Sequence, residues 1–217
     1  MKKIITTIAT CLTFSISFAQ NTSLSTEKTT PRKNTIYFEI FGQGLINSIN
    51  YDRQLIVNEK SATSVTVGFA HWGYAINNPE LKESYTGIPI SFNYLLRKNN
   101  HNLELGIGIT QMYTQMEWDM TSIYAPIASL FSEETITVKT SGEISTTYFT
   151  PKIGYRYQQM NGGFCFRATL TPILIVRQND NVTARIGNEV INTSLSSTLL
   201  TDNSMQPWFG ISFGYTF

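Results

Sequence analysis

The chain has 217 residues, of which 41% are hydrophobic, 12% aromatic and only 14% charged, with 16 basic residues against 15 acidic ones. That balance excludes the basic footprint of a nucleic-acid binder and a polybasic lipid anchor. A charged fraction well under the roughly 25% of ordinary soluble domains suits a surface that partly meets lipid, and the length suits one domain.

Residues 1–19 read as a signal peptide. Lys2 and Lys3 precede an apolar run from Ile4 to Phe18, and Ser17-Phe18-Ala19 is a small-x-small cleavage site that makes Gln20 the first mature residue. The run is short for a bilayer helix and diluted by Ser and Thr. Ile8-Ala9-Thr10 before Cys11 is a poor lipidation signal. Cleavage leaves Cys165 as the one cysteine, so no intrachain disulfide can form. Residues 20–34, "QNTSLSTEKTTPRKN", are polar and without period, a flexible periplasmic leader.

From residue 35 onward, strand patterns follow one another. They cover about Thr35–Gly42, Ile46–Val57, Ala62–Tyr74, Ser84–Leu96, Asn102–Thr114, Thr147–Gln158, Gly163–Ile175 and Pro207–Phe217. The fold class is therefore all-β: an antiparallel up-and-down transmembrane β-barrel of eight strands over residues 35–217. No later stretch is apolar enough for a helical span. "NEKS", "RKNNH" and "QMNG" are short turns, whereas Ala75–Glu83, Gln115–Thr146 and Val176–Gln206 are longer connections. That asymmetry places the N-terminus on the periplasmic side and the long loops outside. The short "GQGL" connection alone breaks the alternation. In the second of these longer connections, Ile136–Thr140 and Glu143–Thr147 flank Ser141-Gly142 as a hairpin. Were it to enter the bilayer the barrel would have ten strands, which Lys139 and Glu143 oppose. "SLFSE" suggests a short helix, and "VTARIGNEVINTS" a further hairpin.

The faces distinguish a membrane barrel from a soluble lipocalin-like one. Large apolar residues alternate with small ones, as in Leu103, Leu105, Ile107, Ile109 against Gly106, Gly108, Thr110. A face turned to water should carry many Lys and Glu residues; small residues instead fit the narrow interior of an eight-stranded barrel. Aromatics collect near strand ends, with Trp72, Tyr74, Tyr85, Tyr113, Trp118, Tyr148 and Trp208 towards the outer rim. Tyr94, Tyr155, Tyr157, Phe164, Tyr215 and Phe217 lie towards the inner one, and together these read as two interfacial belts.

The small-residue face also carries Glu39, Asp52, Glu104, Lys152, Arg156 and Arg167, three acids and three bases. In a narrow lumen such charges must pair, and a balanced cluster plugs the barrel. Asp52 falls near a strand end, where water would serve it equally well. Arg53 has lipid-facing parity and can snorkel to the headgroups.

The stretches "FGQGLINSINYDRQL", "GIPISFNYLLRKNNHNLELGIGIT", "IGYRYQQMNGGFCFRATLTPIL" and "PWFGISFGYTF" resemble small outer-membrane β-barrel proteins of Bacteroidota. The resemblance runs from about Tyr37 to Phe217 and leaves out the longest loops. It implies that the final strand, with Phe209, Ile211, Phe213, Tyr215 and Phe217 on one face, is the signal read by the barrel-assembly machinery. It implies place and shape rather than chemistry. Outer-membrane lipids are the other expected partner; no sequence feature names an extracellular one.

A lipid-modifying enzyme would need a nucleophile, a base and an orienting acid near one membrane face. His71, in "FAHWGY", and His101, in "RKNNH", fall at opposite rims, and no serine-nucleophile motif is present. Neither catalytic residues, nor metal ligands, nor a cofactor site are expected; Cys165 reads as a small packed residue. The leading function is a structural or surface-interaction barrel acting through its loops. A small-solute or lipid-binding barrel comes next, then a lipid-modifying enzyme.

Overall fold

The computed structural model describes residues 31–75, 81–119, 121, 137–159, 161–186, 189–197 and 205–217. The signal peptide, its cleavage site at Ala19 and Gln20, most of the leader and the "SLFSE" segment lie outside these residues.

The described residues form ten strands: β1 (Asn34–Phe41), β2 (Asn47–Val57), β3 (Ser61–Ala75), β4 (Leu81–Lys98), β5 (His101–Asp119), β6 (Val138–Gln158), β7 (Gly163–Leu170), β8 (Leu174–Ile186), β9 (Glu189–Ser197) and β10 (Phe209–Thr216). Eight of them close a ring. Consecutive antiparallel pairing runs from β1 to β7, β7 pairs with β10, and β10 returns to β1 through Ile36↔Tyr215 and Phe38↔Phe213. β8 takes over from β7 along the upper part of β6, after a break at residues 171–173, and β9 folds back on β8 from Ile186↔Glu189. The unit is an all-β, closed, antiparallel eight-stranded barrel with two extra strands beyond its rim. Closure leaves no edge in the barrel wall.

Three short turns, at residues 58–60, 99–100 and 161–162, share one end of the barrel with the Asn34–Phe217 backbone pair. We call this the turn end and the opposite one the loop end. A tilted membrane crossing uses about 9–11 residues; β5 has 19 and β6 has 21. These strands therefore run on past the apolar band. Much of what the sequence suggests as long connections is strand: β5 continues to Asp119, β6 begins at Val138, and β8 reaches Ile186. The hairpin expected around Ser141-Gly142 does not form. Gly142 sits mid-strand, paired with Met116 on one side and Val182 on the other. With neighbours on both edges the backbone gains a full ladder, which a local turn would forfeit. The hairpin expected in "VTARIGNEVINTS" is present as β8–β9. Outside the barrel Lys139 pairs with Asp119 at 3.4 Å. The Thr121 hydroxyl and amide hold the Asp119 carboxyl below its ordinary pKa, with Lys139 adding to the effect.

Polarity is inverted relative to a water-soluble core. Along β5 the outward residues Leu103, Leu105, Ile107 and Ile109 are 39–56% exposed, while Glu104 and Thr110 are fully buried. The same alternation holds on β1, where Ile36, Phe38 and Ile40 face out and Thr35, Tyr37 and Glu39 face in. On β10 Phe209, Ile211, Phe213 and Tyr215 face out, with Ser212 and Thr216 inside.

Candidate functional site

Glu39, Asp52, Glu104, Lys152, Arg156 and Arg167 are all buried in the lumen. Five of them form one ionic layer across the barrel, centred on Glu104 from β5. Arg156 Nε of β6 donates to Glu104 Oε2 at 2.9 Å, and Arg167 Nε of β7 donates to the same oxygen at 3.1 Å. Arg167 also reaches Glu104 Oε1 through its terminal nitrogen. The other end of the Arg156 guanidinium grips Asp52 of β2 in a bidentate pair, at 3.0 and 3.2 Å. Ser64 and Thr66 hydroxyls, both at 2.8 Å, complete the shell of Asp52, which is buried rather than wetted at a rim. Lys152 Nζ stands 3.9 Å from Glu104 Oε1 and donates to Gln43 Oε1 at 3.1 Å and to Ser91 at 3.4 Å. The Arg167 guanidinium lies 4.3 Å from the ring centre of Tyr37, a cation–π contact in a desolvated setting. Bidentate pairs with further hydrogen bonds are what charges in such a place require.

Glu39 stands apart. No basic group among the described residues reaches it. It accepts instead from the Gln43 amide at 3.2 Å and from the Ser48 and Ser212 hydroxyls at 3.4 Å each.

Two neutral layers flank the ions. At the turn end, Gln158 Nε2 donates to Thr35 at 3.0 Å and Thr216 at 3.3 Å, and Gln54 donates to Gln158 Oε1 at 2.9 Å. At the loop end, the β1–β2 connection turns inward instead of leaving the barrel. A short 3-10 turn, Gly42–Gly44, is buried, and Gln43 spans the lumen. Its Nε2 donates to Thr150 at 2.6 Å, and its carbonyl accepts from Thr110 at 3.1 Å. Phe41 and Leu45 hold this turn at φ 61° and 67°, conformations that cost a non-glycine residue roughly 1–3 kcal/mol each and persist where surrounding contacts enforce them. The sequence reading missed Gln43; only its flanking glycines hinted at a special backbone.

Beyond the Gln43 layer, the mouth of the barrel holds a cavity of about 360 Å³. Trp72, Tyr85, Tyr148 and Trp208 line it, with Ala70 and Met112 beside them. These four aromatics are therefore not an outer lipid-facing belt. Each shares strand parity with a lumen residue: Trp72 with Ala70, Tyr85 with Gly87, Tyr148 with Thr150, Trp208 with Gly210. Tyr113 is exposed with outward parity, whereas Trp118, also exposed, shares parity with the buried Met112 and Thr114. At the turn end, Tyr94, Tyr155, Phe164, Tyr215 and Phe217 are exposed.

His71 Nδ1 lies 3.0 Å from the Thr86 hydroxyl near the loop end, and His101 bonds Tyr155 at the turn end. The structure does not bring the two together. Among the described residues no group of three or more His, Cys, Asp or Glu side chains is arranged to hold a metal. Cys165 is buried and free, with lumen parity on β7.

No family model and no curated protein matches the chain. Among solved structures it is similar to a major outer membrane protein from Thermus thermophilus, at 11% identity and a TM-score of 0.49, covering 85% of this chain and 98% of that one. It is also similar to CarO from Acinetobacter baumannii, at 10% identity and a TM-score of 0.46 over 88% of this chain and 100% of that one. For CarO2 from Acinetobacter baumannii the values are 8% and 0.40, over 86% and 98%.

Proposed function

We propose that this chain is an integral outer-membrane β-barrel with a closed lumen, serving as a structural or surface-interaction protein through the strands and loops beyond its loop end. The observation that carries this reading is the inverted polarity. The buried positions are mostly Thr, Ser, Asn and charged residues, while Ile, Leu, Phe and Val occupy the exposed wall. In water, each such side chain left exposed would forgo about 1.5–3 kcal/mol of burial. In lipid the same wall is the stable face, and the ring leaves no unpaired backbone edge in its hydrocarbon zone. Short turns at one end and long strand extensions at the other support an N-terminus on the periplasmic side. The three stacked layers around Gln158, Glu104 and Gln43 support a plug rather than a pore. The outward set Phe209, Ile211, Phe213, Tyr215 and Phe217 belongs to the same proposal as the strand recognised during assembly. Neither the charged layer nor the two separated histidines supports chemistry on a substrate.

The test is extraction and topology in a Gram-negative host. The protein is expected in the membrane fraction, released only by detergent and migrating differently on SDS gels before and after heating. An epitope placed between residues 187 and 188 should be reachable on intact cells, and one between Asn99 and Asn100 only after permeabilisation. A protein found soluble in the periplasm, or the opposite epitope pattern, overturns the reading.

A further inference from the structure

The cavity at the mouth is not part of the plug, and its walls differ in kind from the lumen below. The lumen is lined by charges, amides and hydroxyls, whereas the cavity is walled by Trp72, Tyr85, Tyr148, Trp208, Ile173 and Ile175. Leu45 and Ile46, at the end of the inward β1–β2 turn, enter it from a further side. Asn47, His71 and Gln206 are its polar side chains, and among the described residues the lining includes no Asp, Glu, Lys or Arg. A volume of about 360 Å³ lies within the range of small-molecule sites, which favour barrel mouths and combine apolar walls with a few polar groups. The aromatic walls are held in place from behind. Trp72 and Tyr85 are cross-strand partners with ring centres 5.9 Å apart, and the Tyr85 hydroxyl is tied to Glu83 at 2.9 Å. Trp208 packs edge-on against Phe41 at 5.7 Å, and its backbone carbonyl accepts from the Thr171 amide at 2.7 Å.

One polar group of this wall is unmet. The indole N–H of Trp208 is buried and has no hydrogen-bond partner among the described residues. An indole N–H is a donor and cannot accept, so whatever satisfies it must present an acceptor. Buried tryptophans ordinarily find such a partner.

We propose that the outer mouth of the barrel is a binding site for a small, uncharged, mainly apolar molecule that carries one hydrogen-bond acceptor. Ring or aliphatic surface packs between the aromatic walls, and a carbonyl, ether or hydroxyl oxygen takes the Trp208 N–H. The ligand enters from the loop end, because the Gln43 layer closes the lumen beneath.

Equilibrium dialysis of the full-length protein in lipid nanodiscs, against nanodiscs without protein, tests this with methyl benzoate as the probe. The expected result is a saturable excess over the empty nanodiscs. Toluene, the same ring without an acceptor, should bind more weakly, and benzoate, which carries a charge, should show no excess. Ile175→Trp, which fills the cavity from β8, should abolish the methyl benzoate excess; Leu45→Trp fills it from the opposite side and serves if the first variant does not assemble. Trp208→Phe keeps the ring and removes the donor. It should weaken methyl benzoate about fivefold, the equilibrium equivalent of one hydrogen bond, and leave toluene unchanged. No saturable excess, equal binding of benzoate, or an excess that survives both filling variants overturns the site. An equal effect of Trp208→Phe on toluene overturns the assignment of the acceptor.

Discussion

Gly108 of β5 and Gln43 of the β1–β2 turn occupy one place in the lumen: a Cβ on residue 108 would run into the Gln43 amide nitrogen. The missing side chain on the barrel wall is what admits the loop. Gln43 then holds Thr110 of β5 and Thr150 and Lys152 of β6, and its backbone amide holds Glu39.

Gly108→Val should therefore expel Gln43 and cost the hydrogen bonds it makes, at about 1 kcal/mol each, roughly 2–4 kcal/mol in total. Urea unfolding of the detergent-folded barrel measures this. Gln43→Ala should lose only the two bonds of the side chain, to Thr150 and Lys152, and keep those of the backbone. The double variant should then be little worse than Gly108→Val, because the contacts that Gln43→Ala removes are among those the valine already breaks. Additive losses would show that Gly108 matters for some reason other than Gln43.

Glu104 is the hub of the ionic layer, and the order of effects follows from that. Glu104→Gln leaves two buried guanidinium groups short of a counter-charge, and breaking a buried pair on one side costs roughly 3–5 kcal/mol. Lys152→Met removes a base whose nearest carboxylate oxygen is 3.9 Å away and keeps most of the apolar stem. It should cost clearly less. Unfolding midpoints in the same detergent rank the two; a Lys152 variant less stable than the Glu104 variant would place the hub elsewhere.

The plug makes a prediction about transport. Three layers of side chains cross the lumen, and on the proposed closed-lumen reading planar-bilayer recordings of the wild-type protein should show no large, steady conductance. Gly108→Val should stay silent as well, because expelling Gln43 leaves the Asp52–Arg156–Glu104–Arg167 layer in place. A stable porin-like current from the wild type would refute the closed lumen.

Strand parity carried much of what the sequence offered. The barrel strands and their faces follow from alternation alone, since a strand sends neighbouring side chains to opposite sides. Parity also puts the six charges on one face. It does not say which charge meets which, because Arg156 and Asp52 come together from β6 and β2 across the lumen. Trp72, Tyr85, Tyr148 and Trp208 were legible by the same rule, yet their position near strand ends suggested a lipid interface. Strand extensions beyond the apolar band stayed hidden because both of their faces are largely polar. Segments such as Val138–Thr147 are polar on both sides and show no clear period of two. The inward turn was hidden for a different reason. It depends on positive φ at Phe41 and Leu45, residues that rarely adopt it, and tertiary contacts with Thr150 and Thr110 supply what local preference does not.

Phe217 separates stability from assembly. Its ring is 41% exposed on the outward face, and its backbone closes the barrel seam by exchanging hydrogen bonds with Asn34 at 2.8 and 3.2 Å. Phe217→Ser keeps that backbone pair and the β10 ladder. It removes one ring at the lipid interface, worth at most about 1–3 kcal/mol. The variant should refold in detergent nearly as well as the wild type. In cells it should accumulate as unassembled or degraded material, because on the proposed reading assembly recognises the outward aromatic face of β10, which loses its last element. Equal amounts of heat-modifiable barrel in membranes from both strains would show that Phe217 has no part in recognition. Equally poor refolding in detergent would assign its role to stability instead.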